Sequence, residues 1–462
     1  MHKDVDSMQL HDPAFDATPT RHVSVAYIAM TAVAMVVGAG IFRSPAAIAE
    51  NAGSAGWLLI AWLCGGAISL VGALCYAELA ATFPSAGGDY HFLKTAYGKS
   101  LAFLFAWARF AVINTGSIAL LGFVLGDYAN VIYSLGANGP ALYAWIAIVL
   151  LTLFNLKGMY TGAAADYGMT GLEVGGLLII FAGGVILAVQ GAPPMTMDPP
   201  GAHALPATFG VALLFVLFAF SGWSEVATMS AEVKDAKLGM LKALVIAIIT
   251  ITVLYLMANW ALWRGLGMSG LAKSDTPAAD LIRLAFGGSA SIVTAIAISM
   301  ATITSINATI VVGARTAYAA AADWPALGML GRWDGTRGIP LRAIIAQSLV
   351  SIVLVGFGAY TRQGFQTLID YTSPVFYLFL TLSGFAVIVL RITHPQVPRP
   401  FNVPWYPWLP LVFCAASIFV LWSSVKYVKL GAMAGLAVLG MGALLLIPLV
   451  YQARVAARQV TA

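Results

Sequence analysis

The sequence predicts an all-α integral membrane protein with twelve transmembrane helices, ten of which form two inverted repeats of five. Apolar residues make up 60% of the 462 residues and charged residues only 9%, whereas a soluble globular protein has about 25% charged residues. The apolar residues collect in twelve spans, near or above the length of about 20 residues that crosses a bilayer. Two of these spans, five spans apart, are interrupted by small residues at their centres.

The twelve spans divide the chain into two repeats and a final pair. They lie near residues 24–50, 57–83, 100–125, 140–157, 170–190, 209–231, 239–264, 288–320, 340–358, 365–391, 405–423 and 430–452. The first repeat is then 24–190, the second is 209–391, and the last two spans, 405–452, stand outside them. Polar tails cover 1–23 and 453–462, and the first tail has no apolar stretch of the kind that a cleavable signal peptide needs.

The distribution of basic residues predicts the orientation. Of the 24 Lys and Arg residues, sixteen fall in segments on the side of the N-terminus and six on the opposite side, while Arg43 and Arg109 lie within spans. Basic loops face the cytoplasm in membrane proteins. We therefore expect a protein of the cell membrane whose two termini both lie in the cytoplasm. The net charge of +5 needs no nucleic acid to explain it.

The first span is interrupted at Gly38-Ala39-Gly40. Glycine is about 1 kcal/mol worse than alanine in a helix, so two glycines around one small residue favour unwinding. The freed backbone groups cannot face lipid and must face protein or a water-filled cavity. The sixth span has the same interruption at Ser221-Gly222-Trp223. An odd offset of five gives the two spans opposite orientations, which predicts the inverted repeat and places a substrate site at the paired breaks.

The ends of the broken helices predict the chemistry of that site. A helix that starts near Ile41 presents unpaired N–H groups and a positive dipole end, which suits a carboxylate. The half-helix that ends near Phe220 presents carbonyls and a negative end, which suits an ammonium group. Together the two ends would clamp an α-amino acid by its common groups. The alternative is that the small residues only allow close packing between helices.

Several motifs resemble those of the amino acid–polyamine–organocation superfamily, in its L-type amino acid transporter-like branch. The resemblance covers about 24–450. Its motifs are Val37-Gly38-Ala39-Gly40-Ile41-Phe42, Tyr76-Ala77-Glu78-Leu79, Pro84-Ser85-Ala86-Gly87-Gly88-Asp89-Tyr90, Phe218-Ala219-Phe220-Ser221-Gly222-Trp223, Glu232-Val233-Lys234-Asp235, Gly313-Ala314-Arg315 and Arg399-Pro400-Phe401-Asn402-Val403-Pro404.

The resemblance implies a LeuT-type fold and secondary transport by alternating access, with no chemical reaction on the substrate and no cofactor. It also implies roles for individual residues. The substrate carboxylate would bind backbone amides, and the amino group would bind backbone carbonyls of the sixth span. The amide positions are Gly38, Ala39, Gly40 and Ile41, and the carbonyl positions are Phe218, Ala219 and Ser221. Phe218 also matches the outer aromatic gate of the family.

Each charged residue within a span calls for an explanation, because placing an ionisable side chain near the bilayer centre costs about 2.5–3.5 kcal/mol of insertion free energy. Glu78 and Glu232 lie at span ends, where we interpret them as loop anchors that pair with Lys or Arg. Arg43 either snorkels outward or lines the outer vestibule, and Arg109, near the cytoplasmic side of the third span, could also snorkel. Glu225, directly after the second break, either pairs near the second half-helix or contacts the substrate.

Glu173 departs from the family pattern. The fifth span of the family commonly has a Lys three residues after a Thr, and that Lys is thought to replace a sodium ion between spans 1 and 8. Here Glu173 follows Thr170 at that spacing. Three interpretations stay open: a proton carrier facing span 1 or 8, one member of a cation site that includes Thr302, Thr304 or Ser305, or an anchor at the end of the span.

The sequence predicts a transporter but determines neither its substrate nor how transport is driven. We expect a transporter of a neutral amino acid, coupled to protons or working by exchange. The alternative substrates are cationic amino acids or polyamines, and the alternative class is a transporter-like sensor; an enzyme is disfavoured. Asn114, Ser224, Asn307 and Tyr371 are candidates for the side-chain end of the pocket, and Asn307 is included among the predicted substrate contacts.

The resemblance also bears on a partner subunit. Eukaryotic members of this branch can be disulfide-linked to a heavy subunit through a cysteine in the loop after span 3. This chain has no cysteine between Cys75 and Cys414, which predicts that it forms no such link.

Overall fold

A computed structural model describes residues 23–85, 87–157, 163–191, 204–235, 238–324, 334, 339–427 and 430–461. Within these ranges the chain is helical, and β pairing is confined to two isolated bridges, Val23–Val233 and Asp334–Ile339. The helices are α1 Val25–Val36, α2 Ser44–Ala52, α3 Ala55–Thr82, α4 Gly88–Tyr97, α5 Lys99–Ala108, α6 Asn114–Ile132, α7 Gly139–Leu156, α8 Ala163–Val189, α9 Phe209–Ala219, α10 Gly239–Ala272, α11 Pro277–Phe286, α12 Gly288–Asp323, α13 Leu341–Thr361, α14 Gly364–Thr393, α15 Trp408–Tyr427 and α16 Leu430–Thr461.

The predicted membrane class is confirmed. In the described part of the chain, 11 helical runs are long and apolar enough to cross a membrane. The first predicted span differs because it is divided into short pieces, and α1 has only 12 residues. The third predicted span corresponds to the run Lys99–Ile132, which extends seven residues past the predicted end at 125. The seventh predicted span extends to Ala272 through a turn at Gly267 with φ 68°.

The first span is broken where the sequence predicts. Helix α1 ends at Val36, and Gly38 is extended with φ −97° and ψ −175°. A 3₁₀ turn, Ala39–Phe42, follows, and α2 then begins at Ser44 with a proline in its first turn. Proline suits this position because its missing N–H would be unpaired there in any case.

The sixth span is broken at Gly222, which joins α9 to a 3₁₀ segment over Trp223–Glu232. Gly222 has φ 113°, and a Cβ placed on it would lie 2.5 Å from the carbonyl oxygen of Met35. Only glycine combines this backbone conformation with such a close approach. The second break therefore lies directly against the end of α1.

The unbroken helices enclose the broken ones. Helix α10 packs against α1, α3 and α8, while α6 packs against α7, α12 and α14. Helices at the periphery instead expose large apolar side chains, as α7 does with Leu150 and α16 with Leu444. Because lipid tails are the solvent for such surfaces, this distribution fits a bundle immersed in a bilayer.

The start of the described chain is tied to the end of the sixth span. The amide of Val23 donates to the carbonyl of Glu232 at 3.0 Å, and the amide of Lys234 donates to the carbonyl of Val23 at 3.0 Å. We call the side of the bundle that holds this bridge and α4 the terminal side, and the opposite side the far side.

Candidate functional site

The two breaks meet at the hydroxyl group of Tyr255, on α10. This hydroxyl lies 2.9 Å from the carbonyl oxygen of Val36 and 3.3 Å from that of Ala219. These are the last residues of α1 and α9. Tyr255 is fully buried between the rings of Trp62 and Phe220, with centroid distances of 5.1 and 5.2 Å. One side chain therefore holds both half-helix ends together, a role that nothing in the local sequence indicated.

The amide end of the site borders free space at Gly40. A Cβ built on Gly40 meets no heavy atom within 4 Å. No backbone acceptor for the Gly40 amide is found among the described residues, and the Ile41 amide reaches the Gly38 carbonyl only at 3.4 Å. Amides freed at a helix start favour an anion. The 3₁₀ turn is held from behind by the Tyr128 hydroxyl, which donates to the Phe42 carbonyl at 2.8 Å.

The carbonyl end of the site is partly occupied by the protein itself. The carbonyl of Phe218 accepts hydrogen bonds from the amide of Ser221 at 3.0 Å and from its hydroxyl at 2.6 Å. The carbonyl of Ala219 faces Tyr255. A carbonyl oxygen has two lone pairs, so an ammonium group would share these acceptors rather than find them free. The ring of Phe218 is half-buried and packs edge-on against Phe376 at 6.2 Å.

Glu173 lies beside the first break. Its side chain is buried, with 5% exposure, and is in hydrogen-bond contact with Ser305 on α12. The Ser305 hydroxyl in turn lies 3.6 Å from a Cβ built on Gly38. The hydroxyls of Thr302, Thr304 and Ser305 all bond carbonyls of their own helix, but that of Ser305 is also in contact with Glu173. Of the three hydroxyls predicted to accompany Glu173, Ser305 is thus the one that adjoins it.

Arg109 does not take the snorkelling role that its position in the sequence allowed. The residue is 8% exposed, and its Nη1 atom bonds Glu225 Oε1 at 2.8 Å. Glu225 therefore forms an ion pair near the second half-helix, which is one of the two roles predicted for it.

Asp89 on α4 lies next to this ion pair and to the hydroxyls of Tyr76 and Ser383. Burial, together with the nearby Glu225 carboxylate, raises the pKa of Asp89 to about 6, against the lowering effect of Tyr76, Arg109 and Ser383.

Two of the predicted pocket residues link helices to one another. The Asn307 side-chain oxygen accepts a hydrogen bond from Asn155 at 2.6 Å, which joins α12 to α7. The Tyr371 hydroxyl donates to the Ala111 carbonyl at 2.9 Å. The predicted substrate contact of Asn307 thus gains no support from the geometry, because polar groups between membrane helices often serve each other.

A cavity of about 910 Å³ opens on the far side of the breaks, and Arg43 is among its lining residues. Arg43 bonds Asp127 at 3.3 Å, donates to the Ser274 carbonyl at 3.0 Å and also pairs with Asp275. Of the two roles predicted for Arg43, the structure supports the lining of a cavity, while its position on the outer side stays a prediction. Because Arg43 follows the first break directly, it ties α2 to α6 and to the loop before α11.

The terminal side is closed by ion pairs. Glu78 is 3% exposed and accepts hydrogen bonds from Arg391 Nε at 2.7 Å and from the Val403 amide at 2.7 Å. Lys94 pairs with Asp323 at 2.6 Å. The predicted anchoring role of Glu78 is confirmed. No group of three or more metal-binding side chains occurs in the described ranges.

A helical membrane bundle whose first and sixth spans unwind against each other, with a cavity on one side and ion pairs on the other, has the architecture of a membrane transport protein. The chain belongs to the amino acid permease family, whose model matches residues 22–444. The resemblance to the wider superfamily is thereby confirmed over nearly the whole chain.

Similar proteins include named amino acid transporters. The chain is 29% identical over 408 residues to the large neutral amino acids transporter small subunit 2 of Rattus norvegicus, covering 85% of this chain and 74% of the relative. It is 27% identical over 398 residues to the b(0,+)-type amino acid transporter 1 of the same species, covering 84% and 79%. The Homo sapiens form of the first is 28% identical over 408 residues.

Proposed function

We propose that this protein is a secondary active transporter that moves an amino acid across the membrane by alternating access. The observation that carries the proposal is the meeting of the two half-helix ends at Tyr255, next to a Gly40 amide that borders free space. The ends of α1 and α9 at Tyr255 are both carbonyl ends with negative dipoles, whereas the 3₁₀ turn at Gly40 presents amides. Carbonyls and amides close together suit a ligand with both an ammonium group and a carboxylate.

In the proposed binding mode the carboxylate takes the amides of the first break and the ammonium group takes carbonyls of the second. The amides are those of Gly38, Ala39, Gly40 and Ile41; the carbonyls are those of Phe218, Ala219 and Ser221. Phe218 closes over the bound substrate as an aromatic gate. Its edge-on contact with Phe376 supports this role, because the ring already packs beside the break with part of its surface free.

The structure has the features of a state open toward the far side. The far side holds the cavity of about 910 Å³, whereas the terminal side is closed by the Val23–Val233 bridge and the Glu78 and Lys94 ion pairs. The excess of basic residues on the terminal side supports placing both termini in the cytoplasm. The far side would then face outward from a cell membrane.

We propose a neutral amino acid as the substrate. The Rattus norvegicus relative that is 29% identical to this chain is named a large neutral amino acids transporter. The alternative, a cationic amino acid or polyamine, is favoured by the acidic residues near the breaks. The chain is proposed to work without a disulfide-linked heavy subunit, because its sequence has no cysteine between Cys75 and Cys414.

Glu173 is proposed to couple transport to protons. Its burial beside Ser305 and its position near Gly38 support a carboxyl group whose charge affects the broken helix. Protonation would bias the two conformations only if they bind the proton with different affinity. The alternative is exchange of one amino acid for another, with Glu173 as a structural residue.

Uptake into proteoliposomes tests the function. Purified protein is reconstituted, and radiolabelled L-leucine uptake is measured with and without unlabelled leucine inside, against liposomes without protein. A transporter shows saturable uptake that internal leucine accelerates. Binding without flux would indicate a sensor, and non-saturable flux without acceleration would indicate a channel; either result would overturn the proposal.

A further inference from the structure

The ion pair between Arg109 and Glu225 lies beside the second break and is not used by the proposed clamp. Glu225 is the third residue after Gly222, and its amide donates to the Gly222 carbonyl at 3.1 Å. Its side chain keeps 27% exposure, so part of the carboxylate stays accessible although it is paired. The Glu225 carboxylate is thus placed next to the backbone that would hold the substrate.

Arg109 is brought to this position by a π-helical turn over Arg109–Ile113, between α5 and α6. Such turns insert an extra residue into a helix and are frequent at functional sites. The guanidinium lies 5.7 Å from the ring centroid of Phe105, and its buried Nε atom has no partner among the described residues. Arginine keeps its charge even when buried, so the charge of Glu225 is compensated at any working pH.

Asp89 is an acidic group next to this pair. Its carboxyl group interacts electrostatically with both Arg109 and Glu225 and is hydrogen-bonded to Tyr76 and Ser383. One guanidinium therefore serves two carboxyl groups. Removing it would leave both carboxyl groups without this guanidinium, and an unpaired carboxylate in such a setting attracts a positively charged side chain.

We propose that Arg109 determines substrate specificity: its guanidinium neutralises Glu225 and makes the site select neutral over dibasic amino acids. This inference rests on the proposed function. A lysine or arginine side chain that approached Glu225 would meet an occupied carboxylate and the repulsion of Arg109. A neutral side chain meets neither penalty, so discrimination arises mainly from rejection of the wrong substrate.

The test compares L-lysine with L-leucine as ligands of the full-length protein. In Arg109→Gln, Glu225 loses its cation, and we expect the ratio of lysine to leucine affinity to rise at least about tenfold, which corresponds to about 1.4 kcal/mol. The double variant Arg109→Gln/Glu225→Gln replaces the ion pair by two neutral amides and should reverse most of this rise, with Asp89 as the one remaining carboxyl group of the three-residue cluster. Arg109→Lys keeps the charge and should keep the ratio.

An unchanged ratio in Arg109→Gln would overturn the inference, as would an equal gain of lysine binding in the double variant. Neither result would affect the proposed function, which is judged by leucine uptake into proteoliposomes containing the wild-type protein. If Arg109→Gln does not fold, Arg109→His serves instead. Its ratio should rise between pH 6 and pH 9 relative to wild type as the imidazole loses its charge, and a flat profile would contradict the inference.

Discussion

The Tyr255 hydroxyl donates a 2.9 Å hydrogen bond to the carbonyl of Val36, the last residue of α1. The same hydroxyl lies 3.3 Å from the carbonyl of Ala219, where α9 ends. The last carbonyls of a helix have no partner within it, and here one phenol serves two such ends. Tyr255 thereby sets the distance between the two broken spans.

Tyr255→Phe removes this hydroxyl with little change of shape. We expect a loss of about 1–2 kcal/mol in stability, because buried carbonyls lose a donor, and weaker leucine binding because the two breaks are no longer held in register. Thermal unfolding in detergent and ligand-induced stabilisation measure the two effects. Tyr143→Phe, whose hydroxyl bonds a carbonyl in an exposed setting, is the control. Equal behaviour of the two variants would contradict the bridging role.

Gly40→Val tests the carboxylate clamp. The added side chain would occupy the free space beside Gly40 and block the amides, so we expect substrate binding to fall at least about a hundredfold, equivalent to about 2.7 kcal/mol. The protein should still fold, because no atom lies in the way. Gly440→Val, at a helical glycine that also has nothing within 4 Å, should bind normally. Wild-type affinity in Gly40→Val would rule out the clamp.

Glu173→Gln mimics the protonated carboxyl group. The variant should keep leucine binding and exchange but lose accumulation driven by a pH gradient, because no charge remains to be gained or lost beside Ser305. Uptake with and without an imposed gradient measures this, with Glu50→Gln, an exposed acid on α2, as the control. Full pH-driven accumulation in Glu173→Gln would show that the proton travels elsewhere.

Asp89 should make stability depend on pH. Its pKa is raised from 3.8 to about 6 in the folded protein, so the folded state binds the proton more tightly than the unfolded state. The resulting stabilisation is complete below about pH 4 and is lost as pH rises through about 6. Asp89→Asn should remove this component. The unfolding midpoint of both proteins, followed from pH 4 to pH 8, checks the prediction, and parallel profiles would refute it.

Glu78→Gln should destabilise the closed terminal side. Glu78 is buried and accepts from Arg391 Nε and Nη2 at 2.7 and 2.6 Å. Loss of one partner of a buried ion pair costs roughly 3 kcal/mol or more, because the other charge stays unpaired. We expect a lower unfolding midpoint, with the isosteric change Asp280→Asn as a control, since Asp280 pairs with a largely exposed arginine and its amide can still accept from Ser274. A midpoint equal to wild type would contradict the anchoring role.

The positions of the breaks could be predicted from the sequence because their cause is local. Gly38 and Gly40 weaken a helix by their own backbone freedom, and Gly222 adopts a positive φ that other residues rarely reach. The membrane class followed equally directly, since spans of this length and composition have few other stable environments. Glu78 was correctly assigned an ion pair because a buried carboxylate at a span end has few alternatives.

The partners of buried polar groups were decided only by the tertiary structure. Snorkelling was a possible role for Arg109, but its guanidinium pairs with Glu225, more than a hundred residues further along the chain. Asn307 bonds Asn155, and Tyr255 joins two half-helices that are distant in sequence. Hydropathy and helix propensity indicate whether a segment forms a helix and whether that helix lies in lipid or in water. They do not record which face of one helix meets which face of another, because that choice depends on the packing of all the spans at once.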